Sequence, residues 1–412
     1  MFRYQVTAPG TVMLHGDSMG HNKTYVTASL DMRTTLKFHS FHTPDTEINY
    51  MEINFFGINL HVKIPLHIFI QYFYETNVSA EEEFNSIASF RWLYDLVKSF
   101  VDTLSGYTGI YEPNNHAHRL SLQTFFFLLV LIGCREDMTV DISFKVELWT
   151  ELIIGEGLGS SASFVVCLAT CFLHWSRLQN DSAFHNFKSR NLQKIAHYSH
   201  ICDAMIFNSS TSVSSVMTST YGMIQGFDKK TPVSRICSDL PNMKILLVCS
   251  NVSQKPTSAR SMQMAMLNNS SSSSNSILNI INAASREFIK MIIQLDNKYN
   301  LIKKNSHNKE TIINVNYILR KDYERLWNLI HMNQGLLQAL GKSHPNLDII
   351  CAIAQKFSLA AKLTGKGEGG FAFITLLPNT TDELIDRLLI ELKLYNFFGK
   401  VTTLCCSGVT VD

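Results

Sequence analysis

Residues 155–164 read GEGLGSSASF and place a glycine-serine loop between a polar strand end and an apolar run. Gly155, Gly157 and Gly159 alternate, and Ser160 and Ser161 follow at the start of a predicted helix. A phosphate-binding loop needs backbone N–H groups that point in one direction without side chains in the way, and a helix N-terminus adds its dipole. The stretch therefore predicts a phosphate loop. A serine N-cap after a glycine turn is the alternative.

The spacing of this loop excludes two common phosphate motifs. No lysine follows the last glycine, as a Walker loop requires, and the third glycine of the dinucleotide-binding fingerprint is missing. The loop therefore belongs to neither class.

A second glycine cluster lies near the C-terminus, in KLTGKGEGGFAFITLL at residues 362–377. Gly365, Gly367, Gly369 and Gly370 precede a predicted buried strand. Such a density of glycine is costly for folding unless the backbone must approach something closely. The two clusters together predict a ligand between loops from two halves of the chain.

Composition sets broad limits on the function. The chain has 412 residues, is 46% hydrophobic and 17% charged, and carries a net charge of +2. That balance favours two packed domains and argues against nucleic-acid or membrane partners. The nine cysteines include no CxxC pair, and the N-terminus has no apolar signal core. The most apolar run, residues 120–133, is shorter than the about 18 residues that span a bilayer. We therefore expect a soluble, cytoplasmic protein.

Hydrophobic periodicity predicts a mixed α+β chain. Strands are expected near residues 2–41, 48–64, 141–152, 243–251 and 371–377, and helices over much of residues 79–133, 161–178 and 277–340. The hydroxyl-rich residues 208–222 are expected to form a loop that leads into a strand. The serine run at residues 268–276 is expected to be a mobile surface loop.

Three stretches resemble the three motifs of the GHMP small-molecule kinases. They are APGTVMLHGD at residues 8–17, ELIIGEGLGSSAS at residues 151–163 and KLTGKGEGG at residues 362–370. Their order and spacing cover nearly the whole chain. Within the family, the stretches VMLHGD, LDMRTTL and AAKLTG look most like those of animal mevalonate kinases.

The resemblance implies a two-lobed α+β fold with the active site between the lobes. An N-terminal ribosomal-S5-like lobe would span residues 1–235, and a C-terminal ferredoxin-like lobe residues 236–412. The implied reaction is the ATP-dependent phosphorylation of mevalonate to 5-phosphomevalonate, a step of isoprenoid biosynthesis. The binding partner would be mevalonate, and the resemblance leaves open whether the protein forms a homodimer.

The resemblance also assigns roles to residues. ATP would contact Thr150, Gly155, Glu156, Gly157, Leu158, Gly159, Ser160 and Ser161. The substrate would contact Asp17, Gly365 and Gly367, and Mg²⁺ would bind Ser161 and Asp203.

Two departures from the family pattern fall on its catalytic positions. Thr11 stands where the family has a lysine beside the reacting hydroxyl, and Ser214 or Ser215 stands where it has the catalytic aspartate. Glu368 also replaces a glycine of the third motif. The catalytic residues of this chain are therefore unknown. Loss of a general base typically costs about 10² to 10⁴ in rate.

These departures leave two alternatives to a mevalonate kinase. One is a weak or silent homologue that binds a nucleotide, a mevalonate-like ligand or a partner protein. The other is a GHMP kinase that acts on a different small alcohol.

Overall fold

The structure is a computed structural model. It describes residues 1–17, 24–43, 48–77, 84–104, 109–180, 189–207, 212–228, 231–237, 243–254, 272–305 and 310–412. Residues 208–211 and 268–271, part of the two segments expected to be loops, lie outside the described residues.

The larger β-sheet has nine strands and contains the predicted N-terminal strands. Its strands are β1 (Arg3–His15), β2 (Tyr25–Phe41), β3 (Tyr50–Phe55), β4 (Leu60–Pro65), β5 (Gly109–Ile110), β6 (Ser143–Thr150), β7 (Ile224–Asp228), β8 (Thr231–Cys237) and β13 (Thr410–Val411). The main path runs β13-β1-β2-β6-β3-β4-β5, and β7 pairs with β2 and β8. The chain's last strand therefore lies beside its first.

The smaller sheet has four strands, all from the C-terminal part of the chain. They are β9 (Lys244–Cys249), β10 (Ala361–Leu363), β11 (Phe371–Thr375) and β12 (Gly399–Thr403). Their order is β10-β11-β9-β12, with antiparallel neighbours. The buried strand predicted at residues 243–251 is thus confirmed as a central strand.

Helices cover these sheets. They are α1 (Leu66–Ile70), α2 (Ile87–Thr103), α3 (His116–Arg135), α4 (Ser160–Gln179), α5 (Ser189–Ile206), α6 (Ser212–Tyr221), α7 (Ser272–Asn305), α8 (Glu310–Ala339), α9 (Pro345–Lys356) and α10 (Asp382–Leu394). By length and composition α3 and α4 could cross a membrane, but 72% and 78% of their apolar windows are buried inside the protein. Burial of this kind is typical of core helices, as predicted for residues 120–133.

One buried cluster joins the two sheets. It combines Val12 and Val26 of the larger sheet with Ile245 and Phe373 of the smaller one, and Phe288 of α7 packs among them. Apolar burial of this kind is the main favourable contribution to folding. The two halves of the chain are therefore held by a shared core.

The segment at residues 208–222 was predicted as a loop, and this prediction is wrong for residues 212–221, which form α6. Serine and threonine are weak helix formers because their hydroxyls compete for backbone groups. Here the hydroxyls bond to neighbouring strands instead. Ser219 donates to the carbonyl of Pro9 at 2.8 Å, and Thr218 pairs with Thr27 at 2.5 Å.

The serine run at residues 268–276 is also not wholly a loop, because α7 begins at Ser272. Ser274 is buried, so tertiary packing extends the helix beyond what serine propensity predicts. The apolar face predicted after this run is confirmed, since Ile281, Phe288 and Leu295 are buried.

Candidate functional site

The corner of β1 packs against the glycine-serine loop. The N–H of Thr11 donates to the carbonyl of Leu158 at 2.9 Å, and Thr11 is buried. Gly159 has a φ of +72°, and a Cβ at this residue would lie 2.3 Å from Oγ1 of Thr11. Gly159 is therefore required by the close approach of these two segments.

The N-terminus of α4 has no side-chain cap. Its N-cap is Gly159, which makes no side-chain cap bond, so the serine N-cap alternative is wrong. The first N–H groups of a helix have no intrahelical partner. Ser160 instead accepts a hydrogen bond from the N–H of Gly155 at 3.3 Å, which holds the loop in a curve. This half-buried helix end is suited to bind an anion.

The two glycine loops are in direct contact. A Cβ at Gly365 would lie 2.7 Å from Cα of Gly157, and Oγ1 of Thr364 donates to the carbonyl of Gly157 at 3.3 Å. Nε2 of Gln254 donates to the carbonyl of Thr364 at 3.2 Å and would lie 2.9 Å from a Cβ at Gly157, so it packs beside both loops. Packing therefore accounts for Gly157 and Gly365 without a ligand.

Gly155 differs from the other glycines of the two loops. A Cβ on this residue would meet no heavy atom within 4 Å, although its φ is +82°. The space beside Gly155 is therefore open, and a phosphate is expected there rather than between Gly157 and Gly365.

The strand end before the loop offers polar and apolar contacts. Thr150 ends β6, and its Oγ1 lies 3.0 Å from Oγ1 of Thr34 and accepts from the N–H of Leu152. Ile153 and Ile154 follow, each half exposed. A surface of this composition suits the flat, apolar face of a nucleotide base.

Asp17 lies two residues after the end of β1 and is buried. The preceding residue, Gly16, donates its N–H to Oδ1 of Asn333 at 3.0 Å, which ties this end of β1 to α8. The carboxylate of Asp17 forms an ion pair with Lys342. Gly365 lines the same small cavity as Asp17, so two of the three predicted substrate residues are brought together.

Gly367, the third predicted substrate residue, lies against the backbone instead. A Cβ there would be 2.2 Å from the carbonyl oxygen of Lys342. Close packing against the end of α8 thus explains this glycine.

The sequence interpretation assigned no role to Lys342 or Lys362, yet both line the Asp17 cavity. Lys362 is buried, and its Nζ donates to the carbonyls of Met13 at 3.3 Å and Leu363 at 2.9 Å. Burial lowers the pKa of Lys362 to about 7, although the nearby Asp17 raises it. The place of Lys362 at the start of the second glycine cluster was its one signal in the sequence.

Ser214 and Ser215, the positions of the family's aspartate, lie on α6. Ser214 is buried and hydrogen-bonds to Tyr25, and Ser215 is half-buried. Because α6 bonds to β1 through Ser219, this helix faces the strand that carries Thr11. The two replaced family positions, Thr11 and Ser214 or Ser215, therefore fall in one region of the molecule.

The predicted metal residues lie on adjacent helices. Ser161 is half-buried in the first turn of α4, and Asp203 is buried near the end of α5, which packs on α4. Among the residues that the structure describes, no three His, Cys, Asp or Glu side chains cluster as a metal site would need. A protein-only metal cage is thus absent from the described part of the chain.

The lowered pKa of buried Lys362 can be tested through the pH dependence of stability. Between pH 7 and 10.5 the unfolded chain keeps the proton on this lysine and the folded protein loses it, because burial lowers its pKa from 10.5 to about 7. The free energy of unfolding should therefore rise with pH in the native protein relative to Lys362→Met, by up to about 1.4 kcal/mol per pH unit. Urea midpoints at pH 7, 8 and 9 measure this, with exposed Lys356→Met as the control. If the free energies of unfolding of the native protein and Lys362→Met change with pH in parallel, the pKa of Lys362 is not lowered by burial.

Comparisons with known proteins agree with this geometry. The profile described as GHMP kinases C terminal matches residues 315–392. The mouse mevalonate kinase is 25% identical over 98% of this chain and 94% of its own length. A mevalonate kinase crystal structure superposes with a TM-score of 0.64 at 17% identity, covering 97% of this chain and 98% of the other. The Methanococcus jannaschii mevalonate kinase gives 0.61 at 18% identity, with the same coverage.

These matches bear on the predicted fold and family. The two structural matches extend over 97% of the chain and so include both sheets. The curated relatives named mevalonate kinase come from animals, fungi and plants. The chain therefore has the two-lobed α+β fold of the GHMP kinases, matches the profile of their C-terminal domain over residues 315–392, and is similar to mevalonate kinases over nearly its whole length.

Proposed function

We propose that this protein transfers the γ-phosphate of ATP to the hydroxyl of a small alcohol, with mevalonate as the acceptor. The observation that carries the proposal is the uncapped N-terminus of α4 behind the glycine-serine loop. Amide groups at such an end bind phosphate, and the open space beside Gly155 gives it room. The similarity to enzymes named mevalonate kinase supports the choice of acceptor.

ATP would lie along the loop with its phosphates at the start of α4. The proposed contacts are Thr150, Gly155, Glu156, Gly157, Leu158, Gly159, Ser160 and Ser161. The base would rest near the half-exposed Ile153 and Ile154. The acceptor would lie on the other side of the β1 corner, near Asp17 and Gly365.

Mg²⁺ is proposed to bind together with the phosphates. In nucleotide sites this ion commonly needs only one or two protein ligands, because phosphate oxygens and waters complete its octahedron. The protein ligands proposed for it are the Ser161 hydroxyl at the start of α4 and the Asp203 carboxylate on α5. When bound, the ion would neutralise charge on the transferring phosphate.

In this proposal the chain's own residues mainly bind and orient the two substrates, and they contribute little to proton transfer. Phosphoryl transfer proceeds through a loose transition state, so positioning and charge neutralisation carry most of the catalysis. Thr11 supplies no cation, and the hydroxyl of Ser214 is a poor base at neutral pH. The amide-lined loop remains as the principal group that stabilises charge, and we expect slow turnover.

The same two positions favour a second candidate, a silent homologue that keeps the ligand site. Thr11 packs tightly against Gly159, and Ser214 is engaged with Tyr25, so both positions have structural roles in place of catalytic ones. A third candidate is a kinase of another small alcohol. For all three we propose a cytoplasmic protein with small-molecule ligands and leave a homodimer open.

Calorimetry with MgATP and with mevalonate separates these candidates. A kinase binds both ligands and produces phosphomevalonate, which mass spectrometry detects. A silent homologue binds at least one ligand and gives no product. If galactose or homoserine is phosphorylated in preference to mevalonate, the third candidate is correct.

A further inference from the structure

Four hydrogen bonds connect the two ends of the glycine-serine loop through side-chain hydroxyl groups. Before the loop, Oγ1 of Thr150 accepts from the N–H of Leu152 at 3.1 Å. Oγ1 of Thr150 lies 3.0 Å from Oγ1 of Thr34, which in turn lies 2.7 Å from Oγ of Ser163. After the loop, the hydroxyl of Ser163 donates to the carbonyl of Ser160 at 3.0 Å. We name these four bonds the hydroxyl bridge.

The direction of each bond in the hydroxyl bridge is fixed by its two ends. A carbonyl oxygen only accepts and a hydroxyl has one proton to donate. Because Ser163 donates to the carbonyl of Ser160, it must accept from Thr34, and Thr34 must then accept from Thr150. The hydroxyl proton of Thr150 is therefore committed to Thr34. Thr150 keeps its methyl group and its backbone, but not this proton, for the contact proposed with ATP.

The middle of the hydroxyl bridge is closed to solvent. Thr34 and Ser163 are both buried, so water does not replace a partner that either of them loses. Loss of a buried hydrogen bond is costly because the remaining group stays desolvated and unpaired. Removal of the Thr34 hydroxyl would break two of the four bonds at once. Thr34 is therefore the residue on which the connection depends most.

The backbone of β2 contacts the same two segments. The N–H of Arg33 donates to the carboxylate of Glu151 at 3.0 Å, and its carbonyl accepts from the N–H of Glu151 at 3.1 Å. The carbonyl of Thr34 accepts from Sγ of Cys167, on α4, at 3.3 Å. Burial raises the pKa of Cys167 to about 12, so the thiol keeps its proton at neutral pH. Residues 33 and 34 thus bind the segment before the loop and the helix after it.

The loop between these contacts is rich in glycine. Gly155, Gly157 and Gly159 all have a positive φ. Glycine loses more conformational freedom on folding than any other residue. Fixing the distance between the two ends of a loop restricts the shapes that it can adopt. The hydroxyl bridge therefore favours the one loop shape seen in the structure, with open space beside Gly155.

We propose that Thr34 and Ser163 are positioning residues for the glycine-serine loop. Their hydroxyl groups hold the end of β6 to the first turn of α4, and so keep the loop in the shape that binds the phosphates of ATP. The effect on ATP binding rests on the proposed function. The ordering of the loop is a separate consequence, which can be measured without a ligand.

Variants of Thr34 remove the hydroxyl group and restore it. Valine keeps the shape of threonine without the hydroxyl, serine keeps the hydroxyl, and Ser163→Ala breaks the hydroxyl bridge at a second point. Thr375→Val is the matched control, because Thr375 is also a buried strand threonine and donates to the carbonyl of Ala360 at 3.0 Å in the smaller sheet. Calorimetry measures the affinities for MgATP and for mevalonate. Hydrogen exchange with mass spectrometry measures the protection of the amides of residues 152–163.

We expect Thr34→Val and Ser163→Ala to weaken MgATP binding by about tenfold and to change mevalonate binding by less than about twofold. Thr34→Ser should restore most of the MgATP affinity. The amides of residues 152–163 should exchange faster in Thr34→Val than in the native protein or in Thr375→Val. A hydroxyl group that only stabilises the fold would lower the free energy of unfolding without these selective changes.

The exchange measurement separates this inference from the proposed function. If the native protein binds no MgATP, the proposed function fails, but faster exchange confined to the loop still supports the positioning role. If Thr34→Val does not fold, the same two measurements on Ser163→Ala decide the question. Native-like MgATP affinity in the folded variant, or loop exchange no faster than in Thr375→Val, would overturn the inference.

Discussion

Replacing Thr11 by Lys and Ser214 by Asp in one variant should raise phosphoryl transfer to mevalonate by about 10²-fold or more. The lysine would add a cation beside the reacting hydroxyl, and the aspartate would add a proton acceptor. Both positions face the same region, because α6 bonds to β1 through the hydroxyl of Ser219. Steady-state kcat with saturating MgATP and mevalonate measures the gain.

The neighbouring serine provides the matched control for this variant. Ser214 is buried and Ser215 is half-buried one residue along α6, so their side chains point in different directions. The sequence left open which of them occupies the family's position, and Thr11→Lys with Ser215→Asp decides it. If neither double variant exceeds the native rate while both remain folded, the loss of these two groups does not limit the reaction.

Gly155→Leu should weaken ATP binding by about 100-fold or more, because its side chain would occupy the space proposed for a phosphate. A Cβ at Gly155 meets no heavy atom within 4 Å, so the first atom of the new side chain has room. The positive φ adds a strain of about 1–2 kcal/mol, which urea midpoints will show separately. Calorimetric titration of MgATP gives the affinity.

Gly335→Leu is the control for this variant, since Gly335 is also open, exposed and far from the loop in sequence. It should leave ATP affinity unchanged. Gly159→Val is unsuitable as a test because its Cβ would collide with Thr11, so a loss of binding would reflect unfolding. Native-like ATP affinity in a folded Gly155→Leu protein would show that the phosphates bind elsewhere.

Local sequence patterns predicted most of the fold. Rough alternation of polar and apolar residues located β2, and an apolar helix face that includes Ile281, Phe288 and Leu295 located α7. The prediction was wrong for α6, where the low helix propensity of serine and threonine is overridden by tertiary packing. The hydroxyls of α6 bond to β1 and β2, and this tertiary bonding has no signature in the helix's own sequence.

The site was predictable only in part for the same reason. The glycine loop is visible in the sequence because its residues are adjacent, and the structure confirms the helix predicted directly after it, which begins at Ser160. The Asp17–Lys342 ion pair joins residues 325 positions apart, which no local pattern can reveal. Contacts between the two halves of the chain, such as this ion pair, could be identified only from the structure.

The central claim is that the chain keeps the ligand site of a small-alcohol kinase while two of its catalytic groups are replaced. ADP release by the purified native protein, with MgATP and with or without mevalonate, tests it most directly. The account predicts release that depends on mevalonate and is slower than about 1 per second, below the range of about 1 to 100 per second typical of kinases. A rate within that range, or ADP release that mevalonate does not change, would contradict it.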